Sequence, residues 1–203
     1  TFSFTAGSAS AASADASATA AAATATDSGT AAATAAVFGE FASTLVKENV
    51  FLLDDALGRL ADVKKREAEK ADSAAWDALP KKVQTDRERH IDSIRRTAKS
   101  FLDLGKASLS ALLLLCADRS AGLAFTDVPH RAHKIASMLL KFLRTLCGPE
   151  CQALNVANRE KLGWRPRKML SDTTELLLSC VGLSAGFVSH LTAADTYELG
   201  PLC

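Results

Sequence analysis

The sequence is short of the features that announce an enzyme, a membrane protein or a sheet fold. Its longest unbroken apolar run, Ala111 to Ala117 around Leu112-Leu113-Leu114-Leu115, is far below the roughly 20 residues that cross a bilayer as a helix. No membrane partner is expected. It has no excess of one charge: 24 Lys and Arg against 23 Asp and Glu give a net charge of +1, so no broad field points to nucleic acid. No segment alternates apolar and polar residues over a strand length, and no hairpin dipeptide separates two apolar runs. Glycine-rich phosphate loops and nucleophile elbows are also missing, so no catalytic residue and no cofactor is expected. The first residues carry no basic region, apolar stretch or cleavage signal, and no secretory signal is expected there.

Cysteine is present in an odd number: Cys116, Cys147, Cys151, Cys180 and Cys203. Four of these sit in apolar or helical surroundings, which favours reduced, buried thiols and a cytosolic or nuclear location over a disulfide framework. His130, His133, Cys147 and Cys151 have the ligand types and count that zinc takes. The histidines open a helix that Cys147 closes, however, and at about 1.5 Å rise per residue its ends lie some 20 Å apart. No metal site is expected.

What is present falls into two parts. Residues 1–36 are almost wholly Ala, Ser, Thr, Gly and Asp, with almost no large apolar side chain after Phe4. They read as a low-complexity linker or insertion. Residues 37–203 read as one helical domain. Phe38, Phe41, Leu45, Leu52, Ala56, Leu60 and Val63 make one apolar stripe on a helix of about 30 residues. Asp72 to Pro80 reads as a linker anchored by Trp76. Thr85-Asp86-Arg87-Glu88 has the form of a capping box and predicts the start of a second long helix. Its stripe is Ile91, Ile94, Ala98, Phe101, Gly105, Leu109 and Leu112, and the stretch Leu112 to Leu115, apolar all round, is expected to be fully buried.

Pro129 predicts the first turn of a third helix with Ile135, Leu139, Phe142 and Leu146 inward, ended by Gly148 as cap and Pro149 as stop. A loop from Glu150 to Arg165 follows. Pro166 opens a fourth helix with Met169, Thr173, Leu176, Leu177 and Cys180 inward, and a short helix covers about Ala185 to Ala194. The fold class is all-α, an armadillo-like or α-solenoid stack of long amphipathic helices.

Two basic clusters stand out. Arg87, Arg89, Arg95 and Arg96 mix with Asp86, Glu88 and Asp92, which reads as a solvated helix face with local ion pairs. Trp164, Arg165, Arg167 and Lys168 concentrate an aromatic and three cations at a loop-to-helix corner, a candidate surface for an acidic partner.

Several runs resemble one family. Phe51-Leu52-Leu53-Asp54-Asp55-Ala56-Leu57 is similar to the Phe-Leu-Leu-Asp-Glu-(Ala/Ser)-Leu signature of the ubiquitin conjugation factor core, the domain before the U-box in ubiquitin chain-elongation ligases. Trp76 with Leu79-Pro80 resembles its Trp-x-x-Leu-Pro element, followed by Arg87 and Arg89 as in its Arg-rich helix start. Gly148-Pro149-Glu150-Cys151 is similar to its Gly-Pro-Lys-Cys. Leu154 to Leu170, with Val156, Asn158, Glu160-Lys161, Gly163, Pro166, Lys168 and Leu170, resembles the stretch that follows. Phe187 to Tyr197 faintly echoes the helix leading to the U-box. The sequence departs at Lys47-Glu48, Asn155, Arg159, Leu162 and Trp164, where the family has Asn-Asp, Lys, Pro, Tyr and Phe. The resemblance covers about residues 38–197 and has no counterpart for 1–36.

The resemblance implies a helical ligase core without side-chain chemistry. A U-box beyond Cys203 would bind a ubiquitin-charged conjugating enzyme. The core would hold it near ubiquitinated substrates and receive an AAA unfoldase of the segregase type. This segment alone would not transfer ubiquitin. The setting implied is proteasomal degradation and protein quality control in cytoplasm and nucleus. A non-enzymatic armadillo- or HEAT-like adaptor is the alternative.

Overall fold

The computed structural model describes the backbone of residues 12–194 and the side chains from residue 33. Residues 1–11 of the low-complexity segment, Thr196, Tyr197 and Cys203 lie outside the described residues. The elements are α1 (Ala12–Ala71), α2 (Ser73–Asp77), α3 (Lys81–Ala117), α4 (Arg119–Thr126), α5 (Pro129–Cys147), α6 (Glu150–Ala153), α7 (Pro166–Leu183) and α8 (Phe187–Ala193). Among the described residues there is no strand, and the all-α class holds.

The chain divides into two units, residues 1–41 and 42–203, with the boundary inside α1. The helix begins at Ala12, well before Val37, where the apolar stripe read in sequence starts. Alanine has the highest intrinsic helix propensity, and a run rich in it continues a helix without needing a buried face. In the first unit Phe38 and Phe41 stack with ring centroids 5.9 Å apart.

In the second unit α1 and α3 run antiparallel. Asn49 meets Gly105, Phe51 meets Phe101, Glu67 meets Arg95 and Lys70 meets Glu88, so numbers rise on one helix as they fall on the other. The buried row of α1 is Ala42, Val46, Asn49, Leu53, Ala56, Leu57, Leu60 and Val63. Its N-terminal half is turned one residue from the stripe read in sequence. Phe41 is exposed, and Leu45 and Leu52 lie at the edge. Periodicity cannot choose between adjacent apolar pairs, and the polar Asn49 at the centre of the buried row weighs the pattern the wrong way.

α3 begins at Lys81, directly after Pro80, and Thr85 lies inside the first turns with its hydroxyl donating to the Lys81 carbonyl at 3.0 Å. The capping-box reading is therefore corrected. The proline sets the start, and the turn before it is closed by Gln84, whose Nε2 donates to the carbonyls of Trp76 (2.9 Å) and Leu79 (3.0 Å). Trp76 is buried as the anchor expected of it. Along α3 the inward side chain is Leu102, with Phe101 and Ile94 at the edge. Leu114 is 76% exposed, so the apolar end of α3 is not fully buried: the wall of the second unit covers only Leu112 and Cys116 completely.

By length and composition α3 is also apolar enough to cross a membrane, one window reaching a mean hydropathy of 1.5. An unbroken run does not show this, because the window also averages in Phe101, Leu102, Leu104 and Leu109, and a packed core helix passes the same test. Here α3 packs on α7 and α4, with Leu102, Leu109 and Leu112 buried.

α4 was not visible as a separate helix in the sequence. Asp118 starts it by accepting from the Ala121 amide at 2.8 Å. α7 packs against α3, α4 and α5, and α8 closes against α5 and α7. Ile135, Leu139, Phe142 and Leu146 of α5 are buried as expected, as are Met169, Thr173, Leu176 and Cys180 of α7, while Leu177 is half-exposed. Cys116 and Cys180 are buried; Cys147 is exposed and Cys151 half-buried, which corrects the reading of those two as buried thiols.

Candidate functional site

The corner between α5 and α7 is built from residues with little conformational freedom to spare. α5 stops at Gly148, whose amide donates to the Arg144 carbonyl at 2.6 Å. A Cβ there would lie 2.5 Å from that carbonyl oxygen, so the close approach requires glycine. Pro149 then leads into the single turn of α6, a small helix within the stretch read as loop.

From Leu154 to Trp164 the chain has no regular element, yet it is firmly placed. Leu154, Val156, Leu162 and Trp164 are buried, and Trp164 is only 2% exposed. Among the described residues the left-handed backbone positions are Asn158 (φ 53°) and Gly163 (φ 71°), the residue types that tolerate that region best. Three turn hydrogen bonds fold the tip back: Lys161 N–H to Asn158 O, Gly163 N–H to Glu160 O and Trp164 N–H to Arg159 O, at 2.9 to 3.0 Å.

Two side chains tie this loop to the long helices. The Glu67 carboxylate of α1 accepts from the Ala157 amide at 2.9 Å with one oxygen, and from Arg95 of α3 at 2.8 Å with the other. Arg95 also bonds Asp92 at 3.1 Å. The hydrogen bond to Glu67 is the main influence holding the Arg95 guanidinium's pKa above its ordinary value. Lys106 of α3 donates to the Gly163 carbonyl at 3.2 Å and pairs with Asp103 at 2.8 Å. Hydrogen bonds from Lys106 and then Lys99 hold the Asp103 carboxyl below the usual carboxylate range.

Sequence reading missed Glu67, one charge in the mixed run from Lys64 to Lys70, and Lys106, a single cation three residues after Asp103. It placed Arg95 on a solvated face with local ion pairs. The pairs Arg89–Asp86 and Arg95–Asp92 are there, and Arg95 in addition reaches across to α1.

The four residues of the candidate partner surface do not share one orientation. Trp164 is buried in the corner, whereas Arg165, Arg167 and Lys168 are exposed. Lys168 pairs with Asp172 one turn along α7, and that hydrogen bond raises its pKa above the ordinary lysine value.

The positions at which the corner makes its strictest demands, Gly148, Pro149, Asn158 and Gly163, are those by which the sequence resembles a known core. A sequence model described as ubiquitin elongating factor core matches residues 18–196. The chain belongs to this family. The match begins some twenty residues before the resemblance read from motifs, inside α1. Among curated relatives of this core, a protein named probable ubiquitin conjugation factor E4 from Arabidopsis thaliana is 24% identical over 143 residues. Ubiquitin conjugation factor E4 A from Pongo abelii is 27% identical over 148, and an E4 ubiquitin-protein ligase from Saccharomyces cerevisiae 29% identical over 147. These alignments cover 70%, 73% and 71% of the chain but only 14%, 14% and 15% of the relatives. The chain thus corresponds to about a seventh of their length.

Proposed function

We propose that this chain is the C-terminal part of the helical core of a ubiquitin chain-elongation ligase. In the complete protein it positions a U-box and its ubiquitin-charged conjugating enzyme against ubiquitinated substrates. The observation that carries the reading is the family match over residues 18–196, supported by the pinned corner from Gly148 to Pro166. The role is positional. A thioester carbonyl and an acceptor lysine held in register react as if at high local concentration, so rigidity of the mount stands in for an active-site side chain. Glu67 and Lys106 provide that rigidity here by fixing an irregular segment to two long helices.

The partners in this reading are the conjugating enzyme, reached through the U-box, ubiquitinated substrates, and an AAA unfoldase of the segregase type. The compartment is the cytoplasm and nucleus, in keeping with the unpaired thiols of Cys116, Cys147, Cys151 and Cys180. The reading is tested by chain-elongation assays of the full-length protein with and without its U-box. Elongation that depends on the U-box is the expected result. No elongation by either form leaves the alternative, a helical adaptor that carries no ligase activity.

A further inference from the structure

The corner before α7 carries charge that the fold itself does not use. Between Asn155 and Lys168 stand five cations and one carboxylate, Glu160, in a chain whose total charge is +1. Arg159, Lys161, Arg165 and Arg167 are all exposed. Among the described residues the ion pair made in this stretch is that of Lys168 with Asp172. Like charges gathered on one exposed corner make a local positive field that draws in an acidic surface.

Beside these cations is a recess of about 230 Å³, walled by Cys151, Gln152, Asn155, Arg159, Trp164 and Pro166. It is smaller than the roughly 300–1,000 Å³ of small-molecule sites, which suits one bulky side chain better than a metabolite. Its walls belong to the segment that Glu67 and Lys106 hold in place, so the recess exists before anything enters it. Arg159 belongs both to the wall and to the charged rim.

We propose that this corner docks an acidic peptide segment of a partner protein. One bulky apolar side chain of the peptide enters the recess beside Pro166 and Cys151, which the buried Trp164 helps to wall, and its carboxylates lie on Arg159, Arg165 and Arg167. The guanidinium fork takes a carboxylate through two parallel hydrogen bonds, which gives direction as well as charge. A nucleic acid fits less well. Its binding draws on extended basic tracks and on aromatic faces open to stacking, and the ring here is buried. The proposal depends only on this corner and stands whether or not the ligase reading does.

The test uses the 203-residue chain and a short fluorescent peptide of Asp and Glu around a single Phe. The peptide is expected to bind, more weakly as salt rises. Replacing its Phe with Ala, or reversing two rim charges with Arg165→Glu and Arg167→Glu, is expected to weaken binding about tenfold or more. Circular dichroism of the charge-reversed chain checks that its helices are intact. A second readout locates the site: bound peptide should slow iodoacetamide alkylation of half-buried Cys151, on the recess wall, and leave exposed Cys147 unaffected. The proposal is overturned by absence of peptide binding, by unchanged affinity of the charge-reversed chain or the Ala peptide, or by equal effects on the two cysteines. Tighter binding of a single-stranded oligonucleotide of the same charge overturns it in favour of nucleic acid.

Discussion

The side-chain amide of Asn49 donates a 3.1 Å hydrogen bond to the main-chain carbonyl of Gly105, across the α1–α3 interface and 56 residues along the chain. Asn49 is fully buried, and its own Oδ1 has no hydrogen-bond partner. The two helices approach closely here: a Cβ on Gly105 would fall 2.5 Å from Cδ2 of Leu53. A polar contact and a missing side chain together set the register of the longest helix pair.

Asn49→Asp tests that contact. The new carboxylate would face a carbonyl with no donor, so burial would raise its folded pKa above the unfolded value near 4. The penalty is therefore complete above the folded pKa and disappears as pH falls below the unfolded one. We expect a loss of about 3 kcal/mol or more at pH 7 that shrinks on acidification. Urea melts of parent and variant at neutral and acid pH measure it. A deficit that does not change with pH would mean the side chain reaches solvent.

Glu67→Ala frees the Ala157 end of the loop from α1 and breaks the pair with Arg95, while the Lys106 tie at Gly163 remains. Because the Ala157 amide is exposed and can turn to water, the global cost should be modest, about 1–2 kcal/mol. The local effect should be larger. Hydrogen exchange at the Ala157 amide is expected to speed up clearly more than exchange in α5, which has no contact with Glu67 among those described.

Asp103 supplies a pH dependence of opposite sign. Its folded pKa is depressed by Lys106 and Lys99, so its contribution is present above the unfolded carboxyl pKa near 4 and is lost as pH falls through the lower folded value. Nearly half of its side chain is exposed, and solvent screening keeps the effect below about 1 kcal/mol. Asp103→Asn should therefore be slightly less stable than the parent at pH 6 and equal to it near pH 2. Paired denaturation curves across that range decide the point.

Neighbouring residues on α3 should respond very differently to truncation. Leu102 is fully buried, and Leu102→Ala should cost about 2–5 kcal/mol. Phe101 is half-exposed, set edge-on to Phe51 at 6.1 Å and under the Arg59 guanidinium at 5.4 Å, so Phe101→Ala should cost less. Denaturant midpoints of the two variants give the order. A larger loss at Phe101 would mean that α3 is rotated by one residue from the arrangement described.

Much of this protein could be read from local rules. The α5 face and its Gly148-Pro149 ending, the proline start of α7 and the all-helical class follow from periodicity and from backbone chemistry that acts within a few residues. Asn158 and Gly163 are legible for the same reason, since a left-handed backbone restricts residue choice wherever it occurs. Tertiary packing decided what those rules leave equal. Leu52 and Leu53 are alike to any hydropathy pattern, and Leu53 is buried because Gly105 leaves room for it and Asn49 has a carbonyl to reach. Glu67 and Lys106 are ordinary surface charges in sequence; they become ties because the loop returns beside them. Trp164 looked like a docking aromatic, and the fold turned it inward and left the arginines outside. Each of these outcomes depends on a partner dozens of residues away, which neither periodicity nor propensity contains.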